Sequence, residues 1–224
     1  MDEVRIIEIK KSIFEDNDKA ADRMRAELKE RGVYLLNLMS SPGSGKTTTL
    51  IQTIYRLKDK LRIAVMEADI DSDVDAIKIR EATGVESIQL HTGGMCHLDA
   101  DMTRQGIRAL GMEDAELIVL ENIGNLVCPA EFDTGAAINM TILSVPEGDD
   151  KPAKYPLMYE TCNILVVNKI DTLPVFDFDK ARVERDARAR NPEIKVFYIS
   201  AKTGEGVQEL ADVLVRKVKE WNAK

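Results

Sequence analysis

Seven short apolar runs punctuate the chain: VYLLNLM (33–39), RIAVM (62–66), SIQL (87–90), LIVLEN (117–122), INMTILSV (138–145), NILVVN (163–168) and KVFYIS (195–200). A strand buried on both faces reads as such a run, and parallel strands need a helix-length crossover to be joined. Helical patterns do fall between most of the runs, near 45–58, 73–83, 97–110, 152–161, 179–190 and 206–221. The alternation predicts an α/β fold of three layers, a mostly parallel sheet with helices on both faces and right-handed crossovers. At 224 residues the chain can bury one sizeable core, and no repeat or linker divides it. Ahead of the first run, Ala20, Met24 and Leu28 recur at four-residue spacing before Gly32, which predicts an amphipathic helix over 17–31. The expected division is an N-terminal segment, 1–32, packed on one domain, 33–224. In a sheet of this kind ligands bind beyond the carboxyl ends of the strands, so chemistry is sought just after each run.

Acidic residues outnumber basic ones 39 to 31, for a net charge of -8, which argues against a general nucleic-acid or membrane-surface partner. No window holds 18 consecutive apolar residues, and MDEVRIIEIKK has no long apolar core ahead of a cleavage site. Three widely spaced cysteines, Cys96, Cys128 and Cys162, make no disulfide framework and suit a reducing cytoplasm.

The first run leads through Ser40-Ser41-Pro42-Gly43-Ser44-Gly45-Lys46-Thr47-Thr48 straight into a helix. This matches a phosphate-binding loop, with Ser40 where the first glycine usually stands. The fold expected is therefore that of a P-loop NTPase. Glycines 43 and 45 let backbone N–H groups around Ser44 turn toward phosphates, and the helix N-terminus adds partial positive charge. Lys46 would reach the outer phosphates, Thr47 would offer its hydroxyl to Mg²⁺, and Thr48 continues the loop.

Asn168-Lys169-Ile170-Asp171 follows the strand ILVV and resembles the guanine-recognition motif of GTPases. The Asp171 carboxylate can accept from the guanine N1–H and amino groups, whereas adenine offers no matching donor pair. Lys169 would lie over the base. Ser200-Ala201-Lys202, after the next strand, resembles the companion loop whose backbone N–H, at Ala201, meets the guanine oxygen. Two acidic strand ends complete the set: Glu67-Ala68-Asp69 and Glu121-Asn122-Ile123-Gly124. Asp69 and Glu121 are the candidates for holding Mg²⁺ and, with Lys46, for catalysis, because phosphoryl transfer depends on positioning and charge stabilisation. Glu121 occupies the place of the Asp in the DxxG motif of Ras-like GTPases. Asp71, Asp73 and Asp75 are expected as readily to cap and solvate the next helix.

Cys96-His97, after Gly93-Gly94, and Cys128-Pro129, after the Glu121 loop, fall on the same sheet edge. Cysteine with histidine is a ligand set for zinc or nickel, and thiolate character would gain from the helix that Cys96-His97 is expected to open. Cys162 reads as a small core residue, and His91 is left without an assignment. One chain offers three donors, Cys96, His97 and Cys128, one short of a closed tetrahedral site; a symmetric dimer would bring six together.

From Leu35 to Trp221 the chain resembles the hydrogenase nickel-incorporation GTPases, HypB, of the SIMIBI class of nucleotide-switched dimers. The resemblance is carried by SSPGSGKTT, EADIDSDVDA, GGMCHLDADM, ENIGNLVCP, SVPEGDDKPAKYP, NKID and SAKTGEG. It implies GTP hydrolysis with Mg²⁺ and slow intrinsic turnover, since no arginine finger is recognisable. It also implies a GTP-linked homodimer and delivery of Ni²⁺, with Zn²⁺ able to occupy the same site, to the hydrogenase large subunit alongside a HypA-like partner. Cys96, His97 and Cys128 carry over as metal ligands at the subunit interface, and Lys151 and Lys154 as interface candidates. The N-terminal cysteine motif and His-rich stretch of some members are missing from this sequence, so no second nickel site is expected. Asp71 stands where many members have Thr. The urease accessory GTPases carry Cys-Pro-His, but Ala130 follows Cys128-Pro129 here, which favours hydrogenase. A non-catalytic metal store on a nucleotide-binding fold is opposed by Lys46, Thr47, Asp69, Glu121 and Asp171.

Overall fold

The structure, a computed structural model, describes residues 9–223 apart from 71 and 113; Asp71 thus lies outside the described residues. Its seven strands are β1 (Tyr34–Ser40), β2 (Ile63–Asp69), β3 (Glu86–His91), β4 (Leu117–Gly124), β5 (Ile138–Ser144), β6 (Ile164–Asn168) and β7 (Lys195–Tyr198). They form one sheet in the order β3-β2-β4-β1-β5-β6-β7, and every neighbouring pair is parallel. The sheet is therefore wholly parallel among the described residues, and all its carboxyl ends lie on one edge.

Helices cover both faces because alternate strand residues point to opposite layers. On one face Leu36, Leu38, Val65 and Val119 pack under α2 (Lys46–Leu57), α3 (Val74–Thr83) and α9 (Val207–Asn222). On the other, Leu35, Ala64, Met66 and Leu120 meet α1 (Ile9–Arg31) and α4 (Ala100–Leu110). Farther along that face, Leu143, Leu165 and Val167 meet α7 (Pro156–Thr161) and α8 (Lys180–Arg190), and Cys162 is fully buried among them as expected. Helix α4 comes unusually close: a Cβ on Gly106 would sit 2.8 Å from Leu90 and 2.9 Å from Met66.

Three boundaries differ from the sequence reading. Helix α1 starts at Ile9, well before Asn17. Residues 151–161 form two short helices, α6 (Lys151–Lys154) and α7, broken at Tyr155, the residue that Pro156 pushes out of helical conformation. Helix α4 begins at Ala100, not at 97, because the Asp99 carboxylate accepts the Met102 N–H and caps it there. Cys96 and His97 therefore sit in a turn ahead of the helix and do not open it.

Candidate nucleotide and metal sites

Gly43 and Gly45 have φ of 76° and 94°, left-handed values that suit glycine. A Cβ on Gly45 would lie 2.6 Å from the Asn168 amide nitrogen. That closeness is structural, for Asn168 ties three loops together: its Nδ2 donates to the Ser44 carbonyl at 3.0 Å and its Oδ1 accepts the Ala201 N–H at 3.0 Å. Lys169, with φ of 63° the sole non-glycine in the left-handed region among the described residues, donates from Nζ to the Gly43 carbonyl at 2.7 Å. In place of the usual first glycine, Ser40 Oγ accepts from Ser44 Oγ at 2.6 Å and donates to the Ser41 carbonyl at 2.7 Å. The loop from Ser40 to Gly45 is thus pinned by hydrogen bonds within the protein.

Beside it lies a cleft lined by Gly45, Thr48, Lys169, Asp171, Ala201 and Lys202. Asp171 Oδ1 accepts from Ser200 Oγ at 2.7 Å, and the other carboxylate oxygen stands 4.0 Å from Lys202 Nζ. The carboxylate is aimed by one hydroxyl and balanced by one cation, yet keeps lone pairs for a ligand's donors. The Ala201 N–H, expected on the guanine oxygen, donates in this structure to Asn168 Oδ1.

Around Lys46 and Thr47 the carboxylates gather more tightly than the sequence suggests. Thr47 Oγ1 donates to Glu121 Oε1 at 2.9 Å. Glu121 on β4 stands directly across from Glu67 on β2, and Asp75, in the first turn of α3, closes the group: one ligand atom from each lies within 4.8 Å of the others. Burial pushes Glu121 up to about 7, with Lys46 and Thr47 pulling it back. Burial also raises Glu67 to about 8, with Glu121, Asp69 and Asp75 adding repulsion against the lowering hydrogen bond from Gln89. One oxygen of Glu67 and one of Glu121 are buried without a hydrogen-bond partner. Unpartnered buried carboxylate oxygens beside a threonine hydroxyl suit a hard divalent cation. Asp69 is employed differently, accepting the Ser72 N–H at 3.0 Å and shaping the turn toward α3. The sequence reading took Asp75 as readily for a helix cap and named Glu67 only as part of an acidic strand end; the structure brings both beside Glu121. The signal for Glu67 was visible: a carboxylate inside the strand IAVMEAD, directly after the apolar run IAVM.

The two thiols meet as the strand ends suggested. Cys96 Sγ lies 2.8 Å from Cys128 Sγ, the latter at the head of the short helix α5 (Cys128–Glu131). Proximity to Cys128 and burial raise the Cys96 thiol, as two sulfurs sharing one site resist a second ionisation. His97 stands beside them: Nδ1 is 3.9 Å from Cys96 Sγ, and the ring stacks on Phe132 with centroids 3.8 Å apart and planes 12° off parallel. Burial lowers its pKa, which favours the neutral imidazole that can ligate. His91 ends the edge strand β3 and lines a shallow cleft with Leu98 and Met102, apart from this pair.

Known proteins resemble this chain in sequence and in fold. Residues 34–198 match the family described as CobW/HypB/UreG, nucleotide-binding domain. Hydrogenase maturation factor HypB of Rhizobium leguminosarum bv. viciae is 45% identical over 208 residues, 93% of this chain and 69% of that protein. Hydrogenase/urease maturation factor HypB of Helicobacter hepaticus is 39% identical over 215 residues, 94% of this chain and 88% of its own length. The crystal structure of HypB from Helicobacter pylori in complex with nickel superimposes with a TM-score of 0.86 at 37% identity, over 93% of this chain and 98% of that one. The chain belongs to the HypB branch of the CobW/HypB/UreG family of nucleotide-binding domains.

Proposed function

We propose that the protein is a GTP-hydrolysing metallochaperone that delivers nickel during maturation of [NiFe] hydrogenase, switched by GTP- and metal-dependent homodimerisation. The observation that carries the reading is the path along β4. Glu121, hydrogen-bonded to Thr47 of the phosphate loop, and Cys128, paired with Cys96, are seven residues apart on one strand and its exit. Asp171 would select guanine, with Ser200 and Lys202 holding the carboxylate; Asn168 would keep Gly43, Ser44 and Gly45 in place for the phosphates. Lys46 would bind the outer phosphates. Thr47, Glu121 and the carboxylates of Glu67, Asp75 or Asp69 would hold Mg²⁺, which when bound neutralises charge on the transferring phosphoryl group. Glu121 would orient water from its buried position.

Ni²⁺, the cargo, would take the Cys96 and Cys128 thiolates, with His97 leaving Phe132 to join them; Zn²⁺ fits the same donors. The site would be completed by a second copy and emptied when hydrolysis loosens it, passing the ion to a HypA-like partner and the hydrogenase large subunit in the cytoplasm. No described helix is long and apolar enough to cross a membrane. Urease is the second recipient to consider, since relatives such as that of Helicobacter hepaticus bear both names.

The test is reciprocal coupling. Ni²⁺ affinity, read by competition with a chromophoric chelator, is expected to differ between GDP and a non-hydrolysable GTP analogue by about 5–150-fold, with a matching shift in nucleotide affinity on adding Ni²⁺. Equal affinities in both nucleotide states, in protein that still dimerises, would leave a GTPase with an incidental metal site.

A further inference from the structure

Resting on the metal reading above, we infer that Asn17 of α1 is a positioning residue for the metal site, one amide that fixes the separation of the two thiol-bearing loops. Its Oδ1 accepts the Ala100 N–H at 2.9 Å, and its Nδ2 donates to the Asp133 carbonyl at 3.0 Å. Ala100 is four residues past Cys96, and Asp133 five past Cys128. A single planar amide thus spans segments that approach from β3 and from β4. The Asn head offers an N–H donor and a C=O acceptor side by side on one planar group, which is what this bridge uses.

The rest of α1 supports the same two segments. Arg25 grips the Asp133 carboxylate through two contacts from Nη2, at 2.8 and 2.6 Å, and its Nε donates to the Ala136 carbonyl at 2.9 Å. Phe14 packs on Phe132 with centroids 4.9 Å apart, and Phe132 carries the stacked His97 ring. Farther along, Ala20, Ala21, Met24 and Leu28 are buried against the sheet, so the helix is anchored to the rigid core. Two loops held from one helix anchored to the core can bring their thiols to 2.8 Å. The outer hydrogen-bond partners of a metal site set the geometry of its ligands, and their loss typically weakens binding by about 10–100-fold.

The test uses reduced full-length protein titrated with Ni²⁺, reading the thiolate-to-nickel absorption band and the affinity by chelator competition. Melting temperature and far-ultraviolet circular dichroism are recorded for each variant. Asn17→Ala is expected to lower affinity by at least about tenfold and to weaken or shift the band. Asn17→Asp, which keeps the acceptor for Ala100 and sets a carboxylate against the Asp133 carbonyl, is expected to bind between Ala and the unaltered protein. It also serves as the readable variant if Asn17→Ala does not fold. Leu28→Ala loosens α1 in the sheet core eleven residues beyond Asn17, leaves both Asn17 hydrogen bonds in place and is expected to retain the band and the affinity. Asn17 variants that match the unaltered protein would overturn the inference, as would an equal loss in Leu28→Ala at a matched drop in melting temperature. Unaltered protein with no band that Cys96→Ala removes would overturn the metal reading itself, and the inference with it.

Discussion

On the proposed reading, selection of guanine rests on one carboxylate, that of Asp171. Its oxygens are oriented by Ser200 Oγ at 2.7 Å and faced by Lys202 Nζ at 4.0 Å, so it needs no rearrangement to meet a base with adjacent donors. An amide in its place would present an N–H where guanine also presents one, leaving two donors opposed. Asp171→Asn is therefore expected to lose GTP affinity by at least about 100-fold and to gain xanthosine triphosphate, whose carbonyl the amide can serve. Titration with fluorescent guanine, xanthine and adenine nucleotides checks this, and equal affinity of the unaltered protein for ATP and GTP would end the assignment. This residue was legible because its motif is contiguous and sits at a strand end. Glu67 and Asp75 were not, since their partnership with Glu121 arises when β2 pairs with β4 and the first turn of α3 returns over the strand ends. In sequence Glu67 and Asp75 lie 8 residues apart, and 54 and 46 residues before Glu121; only folding puts them together.

Among the elements, the strands were legible and the helix starts less so, for a physical reason. The five inner strands are apolar runs buried on both faces, and the edge strands β3 and β7, only partly buried, are still marked by short apolar runs between helical patterns. Where a helix begins depends on which side chain captures the free N–H groups, and at α4 Asp99 wins over the Gly-Gly turn that precedes Cys96. The missed break at Tyr155 follows from Pro156, a signal present in the sequence but outweighed by the helical composition around it. Helix α4 also carries a constraint that periodicity does not show. Gly106 lets it approach β2 and β3 so closely that any side chain must displace Leu90 and Met66. Gly106→Val is expected to destabilise the protein by about 1–3 kcal/mol through overpacking, measured as a lower urea midpoint at unchanged slope. A variant as stable as the parent would mean that the α4 layer yields, and that the close approach is not a packing requirement.

For the molecule as a whole, the nucleotide edge concentrates negative charge that folding alone does not neutralise. Glu67 faces Glu121, Asp69 and Asp75, with Gln89 as hydrogen-bond donor; Glu121 faces Lys46, Thr47, Asp75 and Lys78. In the folded, ligand-free chain Glu67 is raised to about 8 and Glu121 to about 7, both from 4.5. The native state thus holds protons that the unfolded chain releases, and the sign of the linkage follows. These two groups favour folding fully below about pH 4.5, and that contribution is lost as pH rises toward 8. Carboxylates with lowered pKa, such as Asp150 beside Lys154, act in the opposite direction at lower pH, so the total curve is a sum and a difference measurement is needed. Glu67→Gln keeps the shape and removes the titration. Without nucleotide or divalent cation, its melting temperature relative to the parent is expected to rise steadily between pH 5 and pH 8.5. A gap independent of pH would show that Glu67 is already ionised and compensated in the free protein. The predicted slope has a functional consequence, because a ligand that brings positive charge to this edge stabilises the fold most where the carboxylates have ionised. Near neutral pH the free protein would therefore be held below its full stability, and binding of nucleotide with its cation would restore it by mass action on the native state.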